Sequence, residues 1–249
     1  MCLVAIMYRV VEGVPLVLAA NREEAYARGG TPLDIRDGPR PFIAGLDPTA
    51  GGTWLGLNAT GLIVAVTNRP KQDRPAQPRS RGLLVRDLLA FDSAREAAQV
   101  ASRELGKGPY AGCNIICADT DSLWVVQAGD WLRVRSLSPG YHIITSGDVN
   151  DALDDRAYWV MERLHDRPPV DRATAIEMSK FICAHAEPPT PICLHGGEGG
   201  TVSSTIIAIA EHSRDSRLLH AQGPPDRTTY ADRTDLWWEM RQRVERGQA

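Results

Sequence analysis

The residue that invites chemistry stands at position 2: Cys2 directly follows the initiator Met1. Removal of Met1 would leave a thiol and a free α-amine on the same residue. With an unperturbed pKa of about 7.7–8.0, a terminal amine is partly neutral at pH 7 and can accept the thiol proton. It then does the work of the His in a Cys–His pair, and the thiolate attacks an acyl carbon. Met1 is expected to be removed, because a side chain as small as that of Cys2 permits clipping. Cys2 also has a plainer reading, as a small buried residue that opens a strand.

The elements that must position Cys2 are legible nearby. An apolar run Leu3–Tyr8, a turn at Glu12-Gly13 and a second run Pro15–Ala20 predict an antiparallel hairpin. Antiparallel neighbours lie about 5 Å apart, so the residues just past the second run fall beside Cys2. These are Asn21, Arg22, Glu23 and Glu24. A cation next to a thiol lowers its pKa, and a carboxylate can orient the terminal amine. A register slip of one residue exchanges Glu23 for Glu24 as the acid facing Cys2. A second hairpin, Thr53–Leu57 with Leu62–Thr67, ends at Asn68, whose amide is a candidate donor to a developing oxyanion. A strand-ending Asn before Pro70 also has a purely local explanation as a turn residue.

The remaining pattern is mixed. Asn21–Gly52 and Pro70–Arg79 read as long polar loops. Helical spacing appears at 82–91, at 93–105 with Ser93 as N-cap, at 151–165, at 172–185 and at 232–246. Strands are predicted at Cys113–Ala118, Leu123–Gln127, Leu132–Ser136, Tyr141–Thr145, Ser203–Ala210 and Arg217–His220. Trp237-Trp238 reads either as a packing cap or as a homodimer contact. The order suggests one α+β domain over residues 1–249, with two sheets packed together and helices outside them.

Bulk properties exclude several classes. A net charge of −3 gives no basic excess for nucleic acid. The apolar runs are strand-sized, far short of the roughly 20 residues of a membrane span. The N-terminus lacks the features of a secretory signal, and five cysteines in 249 residues fit reduced thiols, so a cytoplasmic protein is expected. Of 28 cationic residues only Lys71, Lys107 and Lys180 are lysines, which disfavours lysine-based catalysis.

Other constellations are weaker. Cys183-Ala184-His185 and Cys193-Leu194-His195 carry zinc-type ligands, but their spacing matches no usual structural-zinc pattern, so no metal and no cofactor are expected. Cys113 and Cys117 are separated by three residues and read as buried small side chains. The glycine-rich stretch His195–Thr201 reads as a tight turn or as a nest of N–H groups. It lacks the Gly-Lys-Ser/Thr of a phosphate loop.

Taken in order, Met1-Cys2, Asn21-Arg22-Glu23-Glu24, Gly52-Thr53-Trp54-Leu55-Gly56, Thr67-Asn68-Arg69 and Gly200-Thr201-Val202-Ser203-Ser204-Thr205 resemble the NRDE, or transport-and-Golgi-organisation, family. That family is related to N-terminal-nucleophile hydrolases, and the stretch from Gly56 to Asn68 is similar to one in the cholylglycine-hydrolase and penicillin V acylase group. The resemblance implies a four-layer αββα sandwich and a hydrolase acting on a linear carbon–nitrogen amide bond. It implies Cys2 as nucleophile, Arg22 and Glu23 as tuning partners, and Asn68 as oxyanion donor. Asn21, Glu24, Trp54, Ser146, Asp148 and Ser203 would line a site for a small amide or acyl substrate. Three positions depart from the family pattern: Glu23 replaces Asp, Val202 stands where many relatives have Arg, and Ser146 is followed by Gly147-Asp148 rather than Asn. Family members have been linked to haem trafficking and acyl-lipid metabolism. The alternative is therefore a non-catalytic carrier or chaperone for haem or an acyl ligand, with His142, His195 or Cys2 as axial ligand to a haem.

Overall fold

The computed structural model describes residues 2–247, so the expected removal of Met1 lies outside the described residues. Thirteen strands and five α-helices are found among the described residues, grouped in two compact units, each built on one antiparallel sheet. This inventory is consistent with an αββα sandwich. The first unit runs through Gly29 and resumes over Ser138–Thr234; the second comprises Gly30–Leu137 and the chain from Asp235 onward.

The first unit contains the hairpin of β1 (Leu3–Val11) and β2 (Val14–Ala25), turning through Glu12-Gly13, where Gly13 adopts φ 68°. Its other strands are β10 (Gly140–Ile144), β11 (Gly199–Ile209), β12 (Arg217–Ala221) and β13 (Ala231–Asp232). The sheet order is β10-β1-β2-β11-β12-β13, so β1 and β2 are both interior strands, flanked by β10 and β11. Helices α3 (Asp155–Asp166) and α4 (Arg172–Ala184) cover one face. Leu3, Ala5, Met7 and Val17 pack there with Val160, Leu164 and Ile182. Because side chains alternate along a strand, Val4, Ile6, Leu16 and Leu18 fall on the opposite face, where they are also buried. Near-continuous apolar runs in both strands are the signature of a sheet covered on both sides.

The second unit holds β3 (Asp34–Arg36), β4 (Phe42–Ala44), β5 (Leu55–Asn58), β6 (Ile63–Asn68), β7 (Cys113–Ala118), β8 (Leu123–Ala128) and β9 (Leu132–Ser136), paired in that order. Helices α1 (Arg81–Leu88) and α2 (Ala94–Lys107) pack on one face. The Ser93 side chain caps α2 by accepting from the Glu96 N–H. Helix α5 (Thr234–Glu245) buries Trp237 and Met240.

The expected loop over residues 21–52 is a correction. Asn21–Ala25 continue β2, and β3 and β4 lie within the same stretch. Polar residues hold strand geometry at the end of β2 because each has a built partner. The Asn21 side-chain amide donates to the carbonyls of Cys183 (2.9 Å) and Ile192 (3.2 Å). The Glu23 carboxylate, with its side chain 2% exposed, is gripped by both terminal nitrogens of Arg156 in the first turn of α3. Arg156 also donates to the Ile192 carbonyl at 3.1 Å. Asn21 and Glu23 thus fasten β2 to α3, to the end of α4 and to the segment that follows it.

Two outcomes follow for stability. Arg156→Met strands the buried Glu23 carboxylate and lowers unfolding free energy by about 3–5 kcal/mol in urea titrations, while adding Glu23→Gln recovers much of the loss. In the second unit a Cβ on Gly52 would sit 2.3 Å from the Gly82 backbone carbon, so Gly52→Ala costs about 3 kcal/mol or more by the same measurement.

Candidate functional site

The register of the central hairpin fixes what surrounds Cys2. Leu3 pairs with Asn21, so one step further Cys2 stands across from Arg22. On the other side of β2, Arg22 pairs with Ser203 of β11. Directly opposed residues share a face, so Cys2, Arg22 and Ser203 form a row across three strands, on the face opposite α3 and α4. A β-bulge between Thr201 and Ser203 makes this row possible. Thr201 pairs with Glu23 and Ser203 with Arg22, which leaves Val202 as the extra residue. Bulges of this kind re-aim side chains beside active sites.

Arg22 is 6% exposed, donates to the Gly29 carbonyl at 2.5 Å and has Glu24 at 4.0 Å. Alternation along β2 gives Glu24 the face of Arg22 and Cys2, and Glu23 the face of Arg156. The Ser203 hydroxyl is buried and makes no protein hydrogen bond among the described residues. In the next row Thr205 pairs with Ala20 and His220, and its hydroxyl meets His220 Nδ1 at 2.9 Å. Burial holds that imidazole below its ordinary pKa, so it is neutral at pH 7.

Cys2 is half-buried, whereas Cys113, Cys117, Cys183 and Cys193 are buried. Burial is the largest influence on the Cys2 thiol and raises its pKa; the Glu23 backbone N–H opposes this, the Glu23 carboxylate adds to it, and Arg22 opposes it. The net direction is upward, so the resting group is a protonated thiol. Forming a thiolate at this position would therefore require a base within reach of the sulfur.

The other expected site residues are distributed as follows. Asn21 turns to the helix face and serves as a strap. Ser146 and Asp148 are half-buried in the turn that leaves β10 for α3, next to Thr145, whose hydroxyl donates to Asp154 at 2.5 Å. Asn68 and Trp54 belong to the second unit. Asn68 is the exposed last residue of β6 and pairs with Cys113; Trp54 is half-buried, with its ring against Gly45. One row earlier, Thr67, Asn114 and Gln127 form a buried polar line across β6, β7 and β8, with Asn114 Nδ2 donating to Thr67 Oγ1 at 3.1 Å.

Of the suggested haem ligands, His142 Nε2 lies 2.8 Å from the Ser138 carbonyl and His195 Nε2 lies 2.8 Å from Asp226. Cys183 and His185 do not join Cys193 and His195 in a ligand group. The third member is Asp226. Sequence reasoning missed Arg156, His220 and Asp226, each distant in the chain from the residues it meets.

The chain matches the family model described as Transport and Golgi organisation 2 over residues 1–216. It is 35% identical over 107 residues to the human Transport and Golgi organization protein 2 homolog, and 38% identical over 110 residues to the mouse homolog. Each alignment covers 42% of this chain, and the chain spans only 38% of the length of each relative. Among solved structures, it is similar to a Caenorhabditis elegans N-acylethanolamine-hydrolyzing acid amidase ortholog, with TM-score 0.59, 17% identity, and coverage of 86% of this chain and 96% of the other. Penicillin V acylase from Agrobacterium tumefaciens gives TM-score 0.57 at 13% identity, covering 94% and 87%. The C2A mutant of conjugated bile acid hydrolase from Clostridium perfringens gives 0.53 at 11%, covering 94% and 93%. At these identities the structural likeness establishes a shared fold alone, two antiparallel sheets with helices, consistent with an αββα sandwich. With the family model matching most of its length, the chain belongs to the Transport and Golgi organisation 2 family.

Proposed function

We propose that this chain is an N-terminal-nucleophile hydrolase that opens a linear amide bond by thiol acyl transfer at Cys2. The observation that carries the reading is the row of Cys2, Arg22 and Ser203 on one face of the central strands. The similarity to an amidase and an acylase supports the reaction class, and the substrate class is a small molecule with an acyl–nitrogen bond.

In this mechanism the α-amine of processed Cys2 takes the thiol proton and the thiolate attacks the substrate carbonyl. Arg22 stabilises the thiolate. Glu24, on the same face and 30% exposed, holds the ammonium form of the terminal amine. Glu23 is committed to Arg156 and acts on the thiol through its backbone N–H. The ammonium then protonates the leaving nitrogen as the carbon–nitrogen bond breaks, and water hydrolyses the thioester to release the acid and restore the thiol.

Amine release from a panel of N-acyl amino acids and N-acyl amines tests the reading. Turnover by the processed protein should fall by at least about 10³-fold in Cys2→Ala. Turnover that survives Cys2→Ala contradicts the mechanism, as does a processed protein that hydrolyses no member of the panel. The electrostatic part has its own readout. The rate of Cys2 alkylation by iodoacetamide should climb with pH above the ordinary thiol range, and Arg22→Met should move the midpoint higher still, because the cation that favours thiolate is gone. A midpoint unchanged or lowered in Arg22→Met removes Arg22 from the tuning role.

A further inference from the structure

Outside the residues assigned to chemistry at Cys2, three metal-binding side chains converge from two loops of the first unit. Cys193 Sγ lies 3.1 Å from Asp226 Oδ1 and 3.9 Å from His195 Nε2, and His195 Nε2 lies 2.8 Å from Asp226 Oδ2. The same imidazole nitrogen meets both the thiol and the carboxylate. A Cys–His–Asp catalytic relay needs the two ring nitrogens to face different partners. Three donors aimed at one point instead have the form of a coordination site. A tetrahedral zinc ion, bound at about 2.3 Å to sulfur and about 2.0–2.2 Å to nitrogen and oxygen, sets its donors roughly 3.3–3.6 Å apart. The observed separations bracket that range, so side-chain shifts of a few tenths of an ångström accommodate the ion.

The backbone holds two of the donors in advance. The N–H groups of Ile192 and Cys193 both donate to the His185 carbonyl at 2.7 Å, and Leu194 exchanges hydrogen bonds with Thr201 of β11. Extended geometry then puts Cys193 and His195 on one side, two residues apart. The third donor, Asp226, sits in a turn closed by Arg227 N–H to the Pro224 carbonyl at 3.1 Å. Cys193 is 1% exposed, while the side chains of His195 and Asp226 are 28% and 17% exposed, so the donors run from a buried thiol to the surface as an entry path requires. Asp226 also lines a cavity of about 380 Å³ with Lys180, Arg227, Thr228 and Tyr230.

We infer that Cys193, His195 and Asp226 form a zinc site, with the fourth coordination position taken by water or a small anion entering from this cavity. Mixed thiolate, imidazole and carboxylate donors suit zinc among the common divalent ions. On binding, the Cys193 S–H bond breaks, a sulfur–zinc bond forms and the proton passes to water. No oxidation or reduction is involved. The ion would join the 193–195 segment to the turn at Asp226. It would stand one residue from the Ile192 carbonyl that Asn21 and Arg156 hold, and so would stiffen the same end of β2.

Cobalt(II) titration of the full chain, stripped beforehand with chelator, tests the site without reference to enzymatic activity. The expected result is one equivalent bound with the intense visible bands of tetrahedral cobalt and a sulfur-to-cobalt charge-transfer band, both erased by added zinc. His195→Ala and Asp226→Asn, on exposed loops, should each weaken binding by more than the roughly 10–100-fold that loss of an outer-shell partner costs. Cys193→Ser should remove the charge-transfer band, and Cys183→Ser and Cys2→Ala should leave the spectrum unchanged. Should Cys193→Ser fail to fold, the other two ligand variants decide the question through the visible bands. Absence of a stoichiometric cobalt spectrum at micromolar protein overturns the assignment. So does a spectrum that survives both His195→Ala and Asp226→Asn, or one that depends on Cys2 or Cys183.

Discussion

The site depends on one pairing register: Leu3 opposite Asn21 at the centre of the first sheet. That register sends Arg22 to the face of Cys2 and sends Asn21 and Glu23 to the face of α3 and α4. Strand periodicity is two, so a slip of one residue would reverse every assignment. It would bring a carboxylate to the thiol and leave the Arg156 guanidinium without its acid. The slip is opposed by the apolar side chains of both faces and by the fit of Glu23 to Arg156, buried where an unpaired charge is expensive. Specificity of register is a role in which a buried ion pair has a clear physical advantage over an apolar contact, whatever its net contribution to stability.

Electrostatics at Cys2 run against the simple picture of a thiol activated by its surroundings. Burial dominates and keeps the group protonated, with Arg22 and a backbone N–H working in the opposite direction. The proposed mechanism therefore depends on a base that arrives with the nucleophile. In that proposal the α-amine of a processed Cys2 meets the need without any further side chain, and the flanking strand supplies a cation and acids rather than a histidine. The nearby imidazole of His220 is buried, neutral and tied to Thr205, which fits a polar spacer in the row behind the thiol.

Much of this was legible in the sequence, for reasons that can be named. The first hairpin shows in its apolar runs and its Glu12-Gly13 turn, and α2 shows in its helical spacing and the Ser93 cap. The run Asn21-Arg22-Glu23-Glu24 was harder. A polar stretch after a strand reads as a loop, whereas pairing with β11 and side-chain partners at Arg156, Cys183 and Ile192 keep Asn21 and Glu23 in strand geometry. For the same reason the choice between Glu23 and Glu24 stayed open: it needs the register, and the register is set by packing. Ser203 owes its alignment with Arg22 to a bulge at Val202, which alternation in the sequence does not reveal. Asp226 had no signal at all, because it lies 31 residues from His195 and enters through a turn.

The central claim is that the chain presents Cys2 as a nucleophile bearing its own amine. The most direct measurement is the intact mass of the protein as expressed, followed by peptide mapping after brief exposure to a substoichiometric thiol-directed acylating probe. The account predicts loss of Met1 and a single label on the peptide that begins at Cys2, with Cys113, Cys117, Cys183 and Cys193 unmodified in the folded protein. A retained Met1, or a label distributed over the other cysteines, would contradict it.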